Sequence, residues 1–226
     1  MKKVAVFDID GTIFRSSLLI EITEALIQSG IFSLSARKIY AKSYRNWIDR
    51  RDSYDKYIGD VIKSFEKNIK GVRHAEFLAI AKKVVAFHQN RVYLYTRDLM
   101  RELHKKNYYL LAISKSPREV VEEFCKKLGF DKVYGLVYEL KNEKFTGGTL
   151  YWDLMRDKAK ILRRAMEKER LTLKGSVGVG DSESDIAFLK LVERPICFNP
   201  NSKLYRRAKR LGWKIVVERK DMIYFL

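Results

Sequence analysis

Along the chain the spacing of apolar residues changes character several times, and each change marks a boundary. Lys3–Phe7 (KVAVF) is a short, β-rich apolar run that stops at Asp8, which predicts a buried strand. From Ser17 to His88 apolar positions recur at helical spacing, as in Leu18, Leu19, Ile22 and Leu26, and again in Ile58, Val61, Ile62 and Phe65. No proline interrupts this stretch, and four or so helices are expected in it. A further helix is expected over about Arg91–Lys106, leading into a buried strand at Tyr108–Ser114.

Beyond that strand the punctuation is explicit. Ser116, Pro117 and Glu119 read as N-cap, first helical residue and capping box of a helix that Gly129 stops. Lys132–Tyr151 predicts a strand followed by a hairpin around Lys141–Glu143. Helices are expected at Lys158–Arg170, Ser182–Leu191 and Lys203–Leu211, and strands at Ser176–Asp181 (SVGVGD), Arg194–Asn199 and Trp213–Val217. Strands and helices thus alternate, apart from one all-helical block. The pattern predicts an α/β fold, a Rossmann-like and mostly parallel sheet with helices on both faces, interrupted by an inserted α-helical cap. Residues 1–15 and 91–226 are assigned to the core and 16–90 to the cap.

Composition narrows the class. Hydrophobic residues at 46% and charged residues at 33% fit a globular chain and exclude a disordered one. The apolar start is too short for a signal-peptide core and no 18-residue apolar run follows, so a cytoplasmic protein without a membrane partner is expected. Cys125 and Cys197 form no CxxC pair and are expected to be buried and reduced. A net charge of +18 raises nucleic acid as a partner. Basic residues are interleaved with acids along the helices, however, which reads as a solvated surface. The densest run, Lys203–Lys220, carries eight basic residues against Glu218 alone. It contains no helix-turn-helix, zinc-finger or aromatic RNA-binding signature.

In an open parallel sheet ligands bind outside the carboxyl ends of the strands. Three of the expected strands end in polar residues: the first in Asp8-Ile9-Asp10-Gly11-Thr12, the second in Ser114, the third in Gly180-Asp181. Lys158 opens the helix that feeds the third. Carboxylates, a hydroxyl and an ammonium in one place suit a phosphate ester and a divalent cation. Hydrolysis of phosphate monoesters needs an acceleration on the order of 10²¹-fold, which positioned charge must largely supply. A hard cation such as Mg²⁺ offsets the repulsion between carboxylate and phosphate and lets Asp8 and Asp10 coexist. Asp8 is placed to attack phosphorus, Asp10 to protonate the leaving alcohol and then deprotonate water. Gly11 permits a tight turn in which backbone amides face the phosphate oxygens.

The stretch DIDGT at Asp8–Thr12, Ser114 after an apolar strand, Lys158, and GDSESD at Gly180–Asp185 resemble the four signatures of the haloacid dehalogenase-like phosphatases. Their order and spacing look most like the phosphoserine-phosphatase-like branch, whose helical cap lies between the first and second signatures. The C-terminal CFNPNSKLYRRAKRLGW segment is similar to that branch as well. The resemblance implies Asp8 as nucleophile and metal ligand, and Asp10 as general acid/base lending its backbone carbonyl to the metal. It implies Asp181 as a third ligand with Asp185 supporting the metal shell, and Ser114, Lys158, Gly11 and Thr12 on the phosphate. Mg²⁺ is the implied cofactor and a small phosphorylated metabolite the implied substrate. Ser17 stands where phosphoserine phosphatases carry an acid, so phosphoserine itself is not implied. Arg50 and Arg51 are candidates for a second anionic group of the substrate. The cap aromatics Tyr40, Tyr44, Trp47, Tyr54 and Tyr57 are read as helix-packing residues, and Lys160 as a solvated one. Two alternatives stay open: a phosphotransferase using the same aspartyl-phosphate, and a phosphatase or binding protein for nucleic acid.

Overall fold

In the computed structural model, which describes residues 1–226, β1 (Lys3–Asp8) is followed by the helices α1 (Leu18–Gln28), α2 (Ser35–Ile48), α3 (Tyr54–Ile69) and α4 (His74–His88). The chain continues through α5 (Leu94–Lys105), β2 (Tyr109–Pro117), α6 (Arg118–Cys125), and the hairpin β3 (Lys132–Lys141) and β4 (Lys144–Leu150). Then follow α7 (Trp152–Met155), α8 (Lys158–Glu169), β5 (Thr172–Gly180), α9 (Ile186–Leu189), β6 (Arg194–Phe198), α10 (Ser202–Leu211), β7 (Lys214–Arg219) and β8 (Met222–Phe225).

The strands form one sheet in the order β4-β3-β2-β1-β5-β6-β7-β8. Pairing is parallel except at the two edges, β3 with β4 and β7 with β8, so the mostly parallel α/β sheet that the alternation predicts is what forms. Val4–Phe7 of β1 are fully buried between β2 and β5. A strand covered on both faces gains about 1.5–3 kcal/mol per large apolar side chain, which is why its sequence is a continuous apolar run. Asp8 therefore emerges at the carboxyl end of the most central strand, with the ends of β2 and β5 on either side.

Several local expectations fail for tertiary reasons. β2 does not stop at Ser114; Pro117 is still paired with Leu136 of β3, and α6 begins only at Arg118. Ser116 is consequently no N-cap, and Glu119 closes no capping box: its buried carboxylate lies 3.3 Å from His74 Nε2 of α4. The helix expected at Ser182–Leu191 is divided into a 3₁₀ turn at Glu183–Asp185 and the short α9. β8 was not legible as a strand. The hairpin was: Asn142 and Glu143 both take positive φ, 50° and 61°, as a two-residue turn of this kind requires.

The inserted helices are held to one another and to the sheet. α2 and α3 pack as a pair, with Ser64 Oγ donating to Ala36 O at 2.8 Å. At the far end Gly71 N donates to Phe145 O (2.8 Å) and Phe145 N to Val72 O (3.0 Å), which stitches the α3–α4 turn to the β3–β4 hairpin. Phe65, Phe77, Tyr138 and Phe145 form a ring cluster behind that seam, with centroids 5.2–5.3 Å apart for Phe77–Phe145 and Phe65–Tyr138. No helix is long and apolar enough to cross a membrane. Cys125 and Cys197 are buried free thiols.

Candidate active site

The floor of the site is a buried charge cluster. Asp157 caps α8, its side chain accepting from Ala159 N at 2.9 Å, and this start sets Lys158 at the first helical position beneath the end of β1. Lys158 Nζ donates to Asp8 Oδ1 and to Asp185 Oδ1, both at 2.5 Å. All three residues are nearly or fully buried. Burial alone would drive the lysine toward its neutral form, but the charges of Asp185 and Asp8 outweigh that and raise its pKa, so it remains an ammonium. Burial pushes the Asp8 carboxyl up to about 7 against the pull of Lys158, with Asp185 and Asp10 adding to the rise. Asp181 is likewise raised well above the usual carboxylate range, by desolvation and then by Asp8 and Asp185.

Asp185 is held from both sides. Its Oδ2 accepts from the amides of Asp181 and Ser182, each at 3.0 Å, and so fixes the loop after β5. That loop passes close to the end of β5: a side chain at Gly180 would run into Asp185. Gly11 serves the opposite bank. Its φ is +79°, and a Cβ there would collide with Asp181 Oδ2, so only glycine lets the two loops approach.

Asp10 faces away from the lysine. Its Oδ1 accepts from Leu18 N, the first amide of α1, at 2.5 Å, while its Oδ2 accepts from Ser114 Oγ (2.5 Å) and Ser116 Oγ (3.0 Å). Burial raises its pKa, opposed by these hydrogen bonds. Ser114 is fully buried behind Asp10, whereas Ser116 lines the cavity and also accepts from Leu19 N at 3.1 Å. The amides of Gly11 and Thr12 are engaged within the loop, on Phe14 O, Ser16 O and Ile9 O, and Thr12 Oγ1 is buried without a partner.

Above this floor opens a cavity of about 1120 Å³ that Asp8, Asp10, Gly11, Lys158 and Asp181 share with the inserted helices. Its other walls were not foreseen. Lys115, Ser116, Glu21 and Glu24 line it, as do Arg37 and Arg45 in place of Arg50 and Arg51. Tyr40, Tyr44, Trp47, Tyr54 and Tyr57 line it too, although their spacing reads only as helix packing. The missed signal was helical phase: Glu21 and Glu24 are three apart, on one face of α1.

The donor set suits a hard cation. Asp8, Asp181 and Asp185 bring carboxylate oxygens within 4.8 Å of one another, and oxygen-only ligation is what Mg²⁺ prefers. Asp8 Oδ2 and the Asp181 carboxylate carry no hydrogen bond and both residues line the shared cavity, while both Asp185 oxygens are already engaged. Ion binding at this place would therefore fall chiefly to Asp8 and Asp181, with Asp185 positioning them.

Known proteins of this shape include a phosphoserine phosphatase solved as a phospho-aspartyl intermediate analogue, with TM-score 0.64 at 21% identity over 97% of this chain and 95% of that one. Among curated relatives, phosphoserine phosphatase SerB1 of Mycobacterium tuberculosis is 24% identical over 93% of this chain and 69% of its own length. Histidinol-phosphatase of Neisseria meningitidis serogroup C is 22% identical over 96% of this chain and 99% of its own. A family model described as haloacid dehalogenase-like hydrolase matches residues 5–190, and this chain is accordingly an enzyme of that hydrolase family, the one its four motifs resemble.

Proposed function

We propose that the protein is a Mg²⁺-dependent phosphomonoesterase of small phosphorylated metabolites, working through an aspartyl-phosphate on Asp8. The observation that carries this reading is the asymmetry of the two neighbouring aspartates. Lys158 occupies one oxygen of Asp8, which leaves the other for in-line attack; Asp10, two residues on, is held by hydroxyl and amide donors at a raised pKa. In the first half-reaction an Asp8 oxygen bonds to phosphorus, the ester P–O bond breaks, and Asp10 gives its proton to the departing alcohol. In the second, Asp10 takes a proton from water as that water attacks phosphorus, and the bond to Asp8 breaks to release phosphate. Lys158 keeps positive charge beside the developing phosphoryl charge throughout. When bound, the ion would supply a further positive centre that neutralises phosphate and carboxylate together. The names of the phosphatase relatives point to the same chemistry.

Phosphoserine fits the walls poorly. Glu21, the acid nearest the position of Ser17 on α1, is already taken by Ser16 (2.7 Å), Arg91 (2.8 Å) and His88 (3.2 Å). No carboxylate there is left over for a substrate ammonium. The test is release of inorganic phosphate from a panel of monoesters with Mg²⁺, with Asp8→Asn as the blank. Release that Asp8→Asn and chelation of the ion both abolish is the expected result; release that survives Asp8→Asn overturns the mechanism.

A further inference from the structure

The floor meets the phosphoryl group, which every monoester shares, so discrimination between substrates falls to what the alcohol half touches. Among the residues that line this cavity are five rings of α2 and α3. Trp47, in the last turn of α2, stacks on Tyr57 of α3 with centroids 5.4 Å apart and planes 12° from parallel, which fixes its orientation. Tyr44 and Tyr54 flank it at 6.2 and 5.4 Å. Tyr40 and Tyr57 border the cavity but are nearly covered, at 3% and 5% exposure. Tyr44 and Tyr54 are 44% and 40% exposed, yet both line the cavity that contains Asp8.

Charge supports the same reading by its balance. The chain carries +18, but the cavity is lined by seven carboxylates and six basic side chains. Arg37 is engaged by Glu24 at 2.6 Å, Arg91 by Glu21 at 2.8 Å, and Lys158 by Asp8 and Asp185. The basic surface is therefore not focused into the site, and a polyanion would gain little by entering it. Near electrostatic balance leaves aromatic and apolar surface as the feature that separates one alcohol from another. A cavity of about 1120 Å³ also leaves most of its wall untouched by an alcohol as small as serine.

We infer that the α2–α3 wall selects phosphomonoesters whose alcohol carries a planar aromatic ring, seated against Trp47 between Tyr44 and Tyr54, over esters of small polar alcohols and over phosphorylated nucleic-acid ends. The inference rests on the phosphatase reading above and adds the class of substrate to it.

The test compares 2-phenylethyl phosphate with ethyl phosphate, phosphoserine and a 5′-phosphorylated oligonucleotide in the Mg²⁺ phosphate-release assay. The ring-bearing ester should show kcat/KM at least about tenfold above ethyl phosphate, mostly through KM. Tyr44→Ala combined with Trp47→Ala should collapse that ratio toward one, because the ring-bearing ester loses more than ethyl phosphate does. Trp47→Phe, which keeps a ring, should retain most of it. Binding of 2-phenylethylphosphonate against ethylphosphonate to Asp8→Asn, followed by calorimetry, gives the same comparison without turnover and guards against a misfolded double variant. Equal kcat/KM for all four esters, a ratio unchanged in the double variant, or the oligonucleotide as best substrate would each overturn ring selection while leaving the phosphatase reading intact. Absence of release from every ester, with Asp8→Asn indistinguishable from the parent, would overturn the phosphatase reading and this inference with it.

Discussion

At the floor of the cavity Lys158 Nζ lies 2.5 Å from Asp8 and from Asp185, all three buried; at its roof Tyr44 and Tyr54 stand 40% or more exposed around Trp47. The floor is electrostatic and overdetermined: each oxygen of Asp185 and Asp10 has a partner, and removing any member strands a buried charge. The roof is aromatic and only partly covered, and its rings are held by one another more than by directed bonds. Floors of this kind tolerate little change, whereas a roof of this kind can be altered without disturbing the chemistry beneath. The division assigns reaction type to the sheet and choice of alcohol to the inserted helices.

Substitutions at the floor should break this division in a graded way. Asp8→Asn should lower phosphate release by on the order of 10³-fold or more while circular dichroism stays native, since it removes the nucleophile but keeps the volume. Normal turnover in that variant would end the nucleophile assignment. Lys158→Ala should cost both properties: loss of activity together with about 3–5 kcal/mol of stability, because the buried carboxylates of Asp8 and Asp185 lose their shared counter-charge. A fully active, equally stable variant would move the role to another lysine. Gly11→Ala should reduce kcat by about 10–100-fold with a smaller loss of stability, as the methyl displaces Asp181 and sits at positive φ. Unchanged kcat would show that the two loops need not approach.

Ser116→Ala sharpens the role of a residue that lies between floor and roof. It leaves Leu19 N without its buried acceptor and takes one donor from Asp10, at about 1–2 kcal/mol by chemical denaturation, with a modest fall in kcat. A further test concerns pH. The Asp8 carboxyl is raised from 3.8 to about 7 in the ion-free protein, so the folded state binds this proton more tightly than the unfolded chain does. The stability it contributes is present below pH 4 and is lost as pH rises toward 7. The melting temperature of the ion-free parent, minus that of Asp8→Asn, should therefore decline across that window. A difference that rises instead would contradict the desolvated carboxyl.

The four motifs were readable because each is local. A strand end followed by Asp-x-Asp-Gly, a lysine opening a helix, and Gly-Asp before a turn declare themselves within a few residues, and the parallel sheet follows from the alternation of elements. Ser116 and Glu119 were misread for a corresponding reason. Their local pattern is a good cap, but β2 runs on past a register shift to Pro117, which pairs with Leu136 of β3, and Asp10 and His74 offer the two side chains partners far away in sequence. Tertiary hydrogen bonds outweighed a capping box that contributes only about 1 kcal/mol. The wall residues Glu21, Glu24, Lys115 and the aromatic cluster had no motif at all.

By itself the sequence determined a mostly parallel α/β sheet, an all-helical block after its first strand, and the identity of the charged residues at the strand ends. Those follow from apolar periodicity and from chemistry that only a few side chains perform. Tertiary structure alone decided which oxygens of those carboxylates lack a partner, that Ser116 joins Asp10 to α1, and that rings spaced for packing line the cavity that contains Asp8. Periodicity records that a side chain is apolar and on one face of a helix; what stands opposite that face is set by the approach of elements distant in the chain.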